Sequence, residues 1–207
     1  IGLLIFGGIA YYIYGAMFQP NTKFQNETAY VFIPTNANYI QVRQQLEPLL
    51  DNIDSFDAVA EQKKYISNIK AGRFAISKGM NNNEIINSIR SKNLPVKVAF
   101  NNQHNLEDLA GRISIQIEAD SVSLLKAMTD DNFLKKNGFT NATALGMYLP
   151  NSYEFFWNTS AEGFRDKMLK EYNRFWNETR LKKAKQLNLS PNEVMALASI
   201  VHEESKQ

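Results

Sequence analysis

The sequence predicts an α+β fold: an N-terminal transmembrane helix, a small βααβ-like unit, and a mainly helical remainder. Three observations predict it. Residues 1–18 are almost wholly apolar, residues 29–100 mix alternating strand-like runs with helical spacing, and residues 101–207 are mostly of helical period. The chain of 207 residues is 44% hydrophobic and 21% charged, which allows one or two domains with a buried core and argues against disorder.

The composition excludes several classes of protein. The 23 Lys+Arg against 21 Asp+Glu leave a net charge of +2, so there is no basic surplus of the kind that nucleic-acid binding requires. The absence of Cys removes disulfide scaffolds, thiol nucleophiles and iron–sulfur sites. The two His residues, His104 and His202, are far apart in sequence, so we expect no metal site.

The apolar segment Ile1–Phe18 is nearly long enough to span a membrane. As a helix it extends roughly 27 Å, against a hydrocarbon core of about 30 Å. A cleaved signal peptide and a buried core helix are the alternatives, but bulky residues leave no convincing cleavage site. We therefore expect a transmembrane helix over 1–18 and a polar linker over 19–28. The chain has no initiator Met and ends within a helical pattern, so we expect a fragment truncated at both ends.

The next seventy residues have the pattern of one small unit. Helix-capping asparagines at Asn81–Asn83 precede Glu84, which is typical of a helix N-terminus. Strands are predicted at 29–34, 72–76 and 94–100, and helices at 39–50, about 56–66, and after Asn83. Further helices are expected from Asn105, from Asp120 or Ser121, and after Ser160, with an irregular aromatic segment at 147–157.

The end of the chain combines a helix start with two adjacent glutamates. Ser190 and Glu193 form a capping box around Pro191. At 100° per residue, Glu204 extends the apolar stripe of Leu197, Ile200 and Val201, whereas Glu203 lies nearly opposite. Glu204 is therefore expected to be half desolvated, which favours the protonated form that a general acid needs. The alternative is a frayed helix end at which Glu204 forms a salt bridge.

Other chemistries fit the sequence less well. The pair His202-Glu203 would begin a zinc-protease motif, but the second His would fall at 206, which is Lys206. Phosphate-binding and serine-hydrolase glycine motifs are absent from the sequence. Asp130-Asp131 is more typical of a turn or helix end than of a metal site.

Several motifs, in order, resemble one family. The stretch Ala198–Ser205 is similar to the A-S-I-[IV]-x-x-E-[TS] helix of the endolytic murein transglycosylases, the MltG or YceG-like family. Gly146–Tyr153 resembles that family's G-x-[LF]-x-P-[DN]-[TS]-Y segment, with Asn151-Ser152 in place of the commoner Asp-Thr and Leu145 where Glu is frequent. Lys70–Phe74 and Gly79–Ile86 resemble its LysM-like subdomain.

The resemblance implies a reaction. A lytic transglycosylase cleaves the β-1,4 bond between N-acetylmuramic acid and N-acetylglucosamine in peptidoglycan glycan strands, and leaves 1,6-anhydro ends without adding water. Glu204 takes the position of the single catalytic acid, and no cofactor or metal is needed. The implied domains are a LysM-like subdomain at 29–100 and the N-terminal part of a catalytic domain at 101–207. A protein in the cytoplasmic membrane with its body outside is implied, with peptidoglycan synthases as candidate partners.

The aromatic segment 147–157 divides into two predicted roles. Tyr148, Phe155 and Phe156 are expected in the core, because aromatic rings mostly supply buried area. The polar residues between them are expected to border a cleft beside Glu204 and to bind substrate: Asn151, Ser152, Tyr153 and Glu154. The alternative function is that of a membrane-anchored protein that binds peptidoglycan, or acts as a scaffold, without cleaving it.

Overall fold

The computed structural model describes residues 8, 11 and 13–204, with the backbone alone at 202 and 203. The chain mixes helices and strands and divides into two compact units. Unit 1 comprises residues up to 96 together with 156–158, and unit 2 comprises 97–155 and the residues from 159 onward.

Unit 1 combines a two-stranded sheet with helices, as far as the structure describes its residues. Its elements are β1 (Thr28–Ile33), α1 (Tyr39–Leu46), α2 (Ile53–Gln62), β2 (Gly72–Ser77) and α3 (Asn82–Ser91), as the sequence predicts within a few residues. β1 and β2 are antiparallel, with Thr28 opposite Ser77 and Ile33 opposite Gly72. Alternate residues face inward, so the core takes Val31, Ile33, Phe74 and Ile76 from the strands and Phe56, Ile85, Ile86 and Ile89 from the helices.

The prediction of an N-terminal transmembrane helix is wrong. Within the described part of the chain, no helix is both long enough and apolar enough to cross a membrane. Residues 1–7, 9, 10 and 12 of the predicted segment lie outside the described residues. Among the helical residues 13–18, Ala16 and Met17 pack against the core of unit 1, and the side-chain amide of Asn82 donates a 2.8 Å hydrogen bond to the Ala16 carbonyl oxygen. Ile13, Tyr14 and Phe18 are exposed.

Residues 19–28, which the sequence predicts as a linker, are held against unit 1. Asn21 is 5% exposed. Its side-chain NH₂ donates 2.7 Å to the Asn82 side-chain oxygen, and its own side-chain oxygen accepts 2.7 Å from the Asn52 backbone N–H. Buried amides must find such partners or lose the free energy of their hydration, so this network fixes the segment in place.

Unit 2 is mainly helical. Its helices are α4 (Leu106–Ser114), α5 (Ser121–Met128), α6 (Asp131–Lys136), α7 (Ala161–Phe175), α8 (Glu178–Gln186) and α9 (Pro191–Glu204). Two strands, β3 (Pro95–Phe100) and β4 (Asn151–Phe156), pair in a separate two-stranded sheet. The prediction that 147–157 is irregular is wrong, because Asn151–Phe156 form the strand β4. This strand begins with two polar residues, Asn151 and Ser152, so the sequence does not show the regular alternation of polar and apolar residues that predicts a strand.

The predicted start of α9 is confirmed. The Ser190 backbone N–H and hydroxyl both donate to the Glu193 carboxylate at 2.7 Å, and the Glu193 backbone N–H donates to the Ser190 hydroxyl oxygen at 3.3 Å. The hydrogen bond from the Ser190 backbone, followed by that from its hydroxyl, lowers the pKa of the Glu193 carboxyl. The beginning of α9 is therefore well defined, and one side of this helix builds the site described next.

Candidate functional site

Buried aromatic rings hold the segment that begins the site. A 3₁₀ turn, Ala144–Met147, leads to Tyr148, whose ring stacks on Phe164 of α7 with 6.1 Å between centroids. Phe155 lies 5.1 Å from the same Phe164 ring. Tyr148 and Phe155 are buried, which confirms two of the three predicted core aromatics. Phe156 is 52% exposed, so its prediction is wrong: successive residues of a strand point to opposite faces.

Helix α9 approaches this segment with one side. The side-chain amide of Asn192 donates 3.3 Å to the Gly138 carbonyl oxygen, and the Tyr172 hydroxyl donates 3.3 Å to the Asn192 side-chain oxygen. A β-carbon added at Gly146 would lie 3.5 Å from the Met195 β-carbon. The close approach of α9 to the 3₁₀ turn therefore depends on the small residue at 146.

Between these elements unit 2 carries a groove. It consists of a cavity of about 350 Å³ and an adjoining, more open one of about 720 Å³, and four residues line both: Phe100, Asn101, Gln103 and Pro150. The first cavity is completed mainly by 142–148 and by one side of α9, which contributes Asn192, Met195, Ala196 and Ser199. The second is completed by Ala99, Arg112, Asn151 and Ser152. We call this the unit-2 groove.

The chemistry of the groove is that of amides and hydroxyls. Asn, Gln, Ser and Thr side chains alternate with apolar surface from Phe100, Leu109 and Met195, and no carboxylate is among the described lining residues. Arg112 is the one permanently charged side chain in this described lining. Such a surface can bind hydroxyl and acetamido groups by hydrogen bonds while apolar atoms contact the faces of sugar rings.

The four predicted substrate residues take different positions. Asn151 and Ser152 are exposed and line the groove, and the Ser152 backbone N–H donates 2.8 Å to the Asn151 side-chain oxygen. Tyr153 does not line it: the ring stacks on Phe100 with 5.9 Å between centroids. Burial, and then the charge of Glu171, raises the pKa of the Tyr153 phenol.

Two carboxylates lie away from the groove. Glu154 is exposed, and its backbone carbonyl oxygen accepts a hydrogen bond from the Lys167 ammonium. Glu204 is exposed too, at the end of α9, so its predicted half-burial is not found. The physical reason is the orientation of α9: the stripe that includes Ile200 and Val201, at 59% and 66% exposure, is the side that does not line the groove.

Sequence reasoning missed several residues of the groove. Asn101, Gln103 and His104 follow β3 in a polar loop, and no motif distinguishes that loop from any other. In the sequence, nothing distinguishes Arg112 from any other basic residue on the polar face of an amphipathic helix. Ser199 belongs to the family motif, and its hydroxyl donates 3.0 Å to the Met195 carbonyl oxygen. No group of three or more potential metal ligands occurs within the described part of the chain.

The comparison with protein families agrees with the motifs. A model of the YceG-like family matches residues 31–207, and the chain belongs to that family. No curated protein matches the chain. A crystal structure of a yceG-like protein from Listeria monocytogenes is similar to 81% of this chain, at 22% identity and a TM-score of 0.46. The match extends over 61% of that protein's chain.

Proposed function

We propose that this protein is an endolytic lytic transglycosylase that cleaves the glycan strands of peptidoglycan. The observation that carries the proposal is the extent of the family match, residues 31–207, which includes both the Gly146–Tyr153 segment and the Glu204 motif. The unit-2 groove supports it, because a repeating sugar with acetamido groups suits a lining of amides and hydroxyls.

The proposed chemistry assigns one role to Glu204. Its carboxylic acid donates a proton to the glycosidic oxygen, and the C1–O bond breaks through an oxocarbenium-like transition state. The C6 hydroxyl of the muramyl residue attacks C1 and gives up its proton to the same carboxylate. The products are a 1,6-anhydromuramyl end and a free hydroxyl on the departing sugar, so atoms balance without water. Hydrolases that use two carboxylates work differently.

The exposure of Glu204 sets a condition on this mechanism. An acid acts best in a site from which water is excluded, and Glu204 is open to solvent. A sugar ring bound over Glu204 and over the exposed side chains of Ile200 and Val201 would exclude water from this carboxyl group. We propose that the strand extends from the groove past the end of α9, so that the scissile bond meets Glu204 there.

The experiment uses the full chain and purified glycan strands. Glu204→Gln should lower the release of 1,6-anhydro ends by at least about 100-fold, as expected for the loss of a general acid. Glu203→Gln is the matched control and should retain most of the activity. Circular dichroism checks that both variants fold. An equal loss in both variants, or the absence of 1,6-anhydro ends from the unaltered protein, would contradict the proposal.

A second candidate is a protein that binds peptidoglycan strands without cleaving them. One observation favours it: the described lining of the groove contains no carboxylate that could act as an acid. The release of 1,6-anhydro ends separates the two candidates, because a protein that only binds would release none. When immobilised on a column, such a protein would still retain glycan strands.

The substrate also sets the proposed place of action. Peptidoglycan lies outside the cytoplasmic membrane. We therefore propose that both units of this protein lie outside that membrane and act on strands as peptidoglycan synthases produce them. Protease added to intact spheroplasts should digest both units of the protein. Protection that is lost only on lysis would contradict this placement.

A further inference from the structure

Helix α8 combines a concentrated positive charge with almost complete exposure. Its sequence contains one carboxylate, that of Glu178, and these cations: Arg180, Lys182, Lys183 and Lys185. The helix is therefore more positive than the whole chain, whose net charge is +2. Across α8, all of which the structure describes, Ala184 alone is buried. No ion pair within the described part of the chain engages any of these cations.

Two exposed apolar side chains lie beside two of the cations. Arg180, Lys183 and Leu187 are three and four residues apart, so they share one side of the helix. The guanidinium carbon of Arg180 lies 4.2 Å from the centroid of the Phe175 ring, and Nη1 of Arg180 donates 2.8 Å to the Phe175 carbonyl oxygen. Leu187 is 69% exposed and Phe175 is 36% exposed. We call these residues, Phe175, Arg180, Lys183 and Leu187, the α8 face.

The stability of the helix explains only part of this face. Lys183 lies in the last turn, where a cation interacts favourably with the carbonyl groups at a helix C-terminus. The N-terminus is capped by the Asn177 side-chain oxygen, which accepts 3.1 Å from the Arg180 backbone N–H. Neither interaction requires an exposed Leu187 or Phe175, and exposure of apolar surface to water is unfavourable. A partner that contacts both the cations and the apolar side chains would remove that cost.

An anionic phospholipid surface has both of the required properties. Its phosphates attract Lys and Arg side chains that lie within about a Debye length, and apolar side chains enter the boundary between headgroups and acyl chains. The long stem of Lys183 can lie along the apolar layer while its ammonium reaches the phosphates. A soluble polyanion would contact the cations and leave Leu187 and Phe175 in water. The α8 face therefore favours a lipid surface over a soluble polyanion.

We propose that the α8 face is a peripheral docking surface for membranes rich in anionic phospholipid. The helix does not span the bilayer, because its 9 residues extend only roughly 14 Å, against a hydrocarbon core of about 30 Å. It lies along the headgroup region, with Leu187 and Phe175 toward the acyl chains and with Arg180 and Lys183 at the phosphates. This contact does not depend on whether the protein cleaves glycan strands.

The first experiment measures binding of the full chain to vesicles by sedimentation at low salt. The vesicles contain either phosphatidylglycerol, which is anionic, or phosphatidylcholine, which is neutral overall. Residues 1–22 contain no charged side chain, so any affinity of that segment for lipid does not distinguish the two. Replacing Lys182, Lys183 and Lys185 together by Gln should weaken binding to phosphatidylglycerol about 10- to 100-fold, since each Lys near an anionic surface contributes a factor of roughly five.

A matched triple variant controls for net charge. Lys70, Lys78 and Lys92 are exposed in unit 1, and replacing them together by Gln removes the same charge. This variant should bind phosphatidylglycerol vesicles as the unaltered protein does, and circular dichroism checks that both triple variants fold. Equal losses in the two variants, or equal binding of the unaltered protein to the two lipids, would overturn the proposal.

A fluorescent probe gives a readout that is local to α8. The chain contains no Cys, so Leu187→Cys can be labelled at one site with an environment-sensitive fluorophore. Its emission should shift to the blue with phosphatidylglycerol vesicles. Ile115→Cys, exposed at the end of α4, is the control and should show no shift. An unshifted probe at Leu187, or an equal shift at Ile115, would overturn the proposal.

The apolar part of the contact has its own test. Leu187→Gln should weaken binding to phosphatidylglycerol vesicles and leave binding to soluble inorganic polyphosphate unchanged. If Leu187→Gln bound vesicles as the unaltered protein does, the α8 face would be a site for polyanions, and the proposed lipid contact would be wrong.

Discussion

The hydroxyl of Tyr153 donates a 2.7 Å hydrogen bond to the backbone carbonyl oxygen of Leu149. This bond connects the two ends of a short segment, and the residues between them, Pro150, Asn151 and Ser152, line the unit-2 groove. The ring of Tyr153 also stacks on Phe100, which itself lines the groove. Tyr153 thus supports this segment and is not among the groove-lining residues, although its place in the sequence motif suggests contact with substrate.

Removal of the Tyr153 hydroxyl tests that role. Tyr153→Phe keeps the stacked ring and loses the bond to Leu149, so the free energy of unfolding should fall by about 1 kcal/mol. Tyr153→Ala should cost more, because the packing on Phe100 is also lost. Urea unfolding followed by Trp176 fluorescence, in a Trp157→Phe background, measures this in unit 2. If Tyr153→Ala left stability unchanged and reduced only glycan binding, Tyr153 would contact the substrate directly.

Local signals made most of the fold predictable. Capping boxes at Asn81–Glu84 and Ser190–Glu193 mark helix starts through bonds between residues three apart, which a sequence displays directly. Length and hydropathy alone predict a membrane span over 1–18, and they do not reveal that Ala16 and Met17 pack against the core of unit 1. The network of Asn21, Asn52 and Asn82 joins residues up to 61 positions apart, and no pattern in the sequence reveals it.

The site was less predictable than the fold. The motif predicts Asn151 and Ser152 as substrate residues, and both line the groove, whereas the helical wheel predicts the wrong buried side of α9. A wheel reports which residues share a face, and it assumes that the apolar face packs inward. In α9 the small and mixed face of Met195, Ala196 and Ser199 faces the groove. Arg112 of α4 and Asn151 of β4 line the same cavity. Gln116 connects the end of α4 to β3, and β3 pairs with β4, so this proximity depends on tertiary contacts that no local pattern shows.

Two tyrosines in unit 1 differ in their partners. The Tyr39 hydroxyl donates 2.6 Å to the Asp57 carboxylate, whereas the buried Tyr65 hydroxyl has no protein partner among the described groups. Tyr39→Phe should therefore lower the free energy of unfolding by about 1–3 kcal/mol, and Tyr65→Phe should leave it unchanged or raise it. Urea unfolding at pH 7, with Trp157 fluorescence in a Trp176→Phe background, makes the comparison. Equal losses would contradict the assignment.

The same two residues set a dependence on pH. Burial raises the pKa of Tyr65, and burial together with the hydrogen bond to Asp57 raises that of Tyr39. Unfolded tyrosine ionises near pH 10. Ionisation of these phenols therefore leaves the free energy of unfolding unchanged below about pH 10. Above that pH it lowers the free energy of unfolding, progressively as the pH rises toward the pKa values of the folded protein. Tyr65→Phe should make this alkaline loss shallower, and an unchanged slope would argue against burial as its cause.

The contact between Gly146 and α9 predicts a dependence on side-chain size. A single β-carbon at 146 meets Met195 at an ordinary contact distance of 3.5 Å, so Gly146→Ala should be nearly neutral. Gly146→Val must displace Met195 or α9 and should cost about 1–3 kcal/mol, as overpacking does. Trp176 fluorescence during urea unfolding reports on this unit. Gly146→Val as stable as Gly146→Ala would show that α9 does not depend on this approach.

A close approach in unit 1 gives the sharpest test of the structure. Gly72, the first residue of β2, has a φ of +144°, and an added β-carbon would overlap the side chain of Asn93. That side chain is itself fixed, because its oxygen accepts 3.0 Å from the Arg73 N–H and its NH₂ donates 3.1 Å to the Asn158 side-chain oxygen. Gly72→Ala therefore combines backbone strain with a clash that Asn93 cannot relieve by turning away.

Gly79 supplies the matched control for this substitution. Its φ is also positive, at +82°, but an added β-carbon would meet nothing within 4 Å. Gly79→Ala should therefore cost about 1–2 kcal/mol for the backbone alone, and Gly72→Ala at least about 3 kcal/mol. In Asn93→Ala the clash is gone, so adding Gly72→Ala to it should cost less than adding Gly72→Ala to the unaltered protein. Trp157 fluorescence, in the Trp176→Phe background, reports unfolding of unit 1. If Gly72→Ala cost the same with and without Asn93, the close approach would not exist in solution.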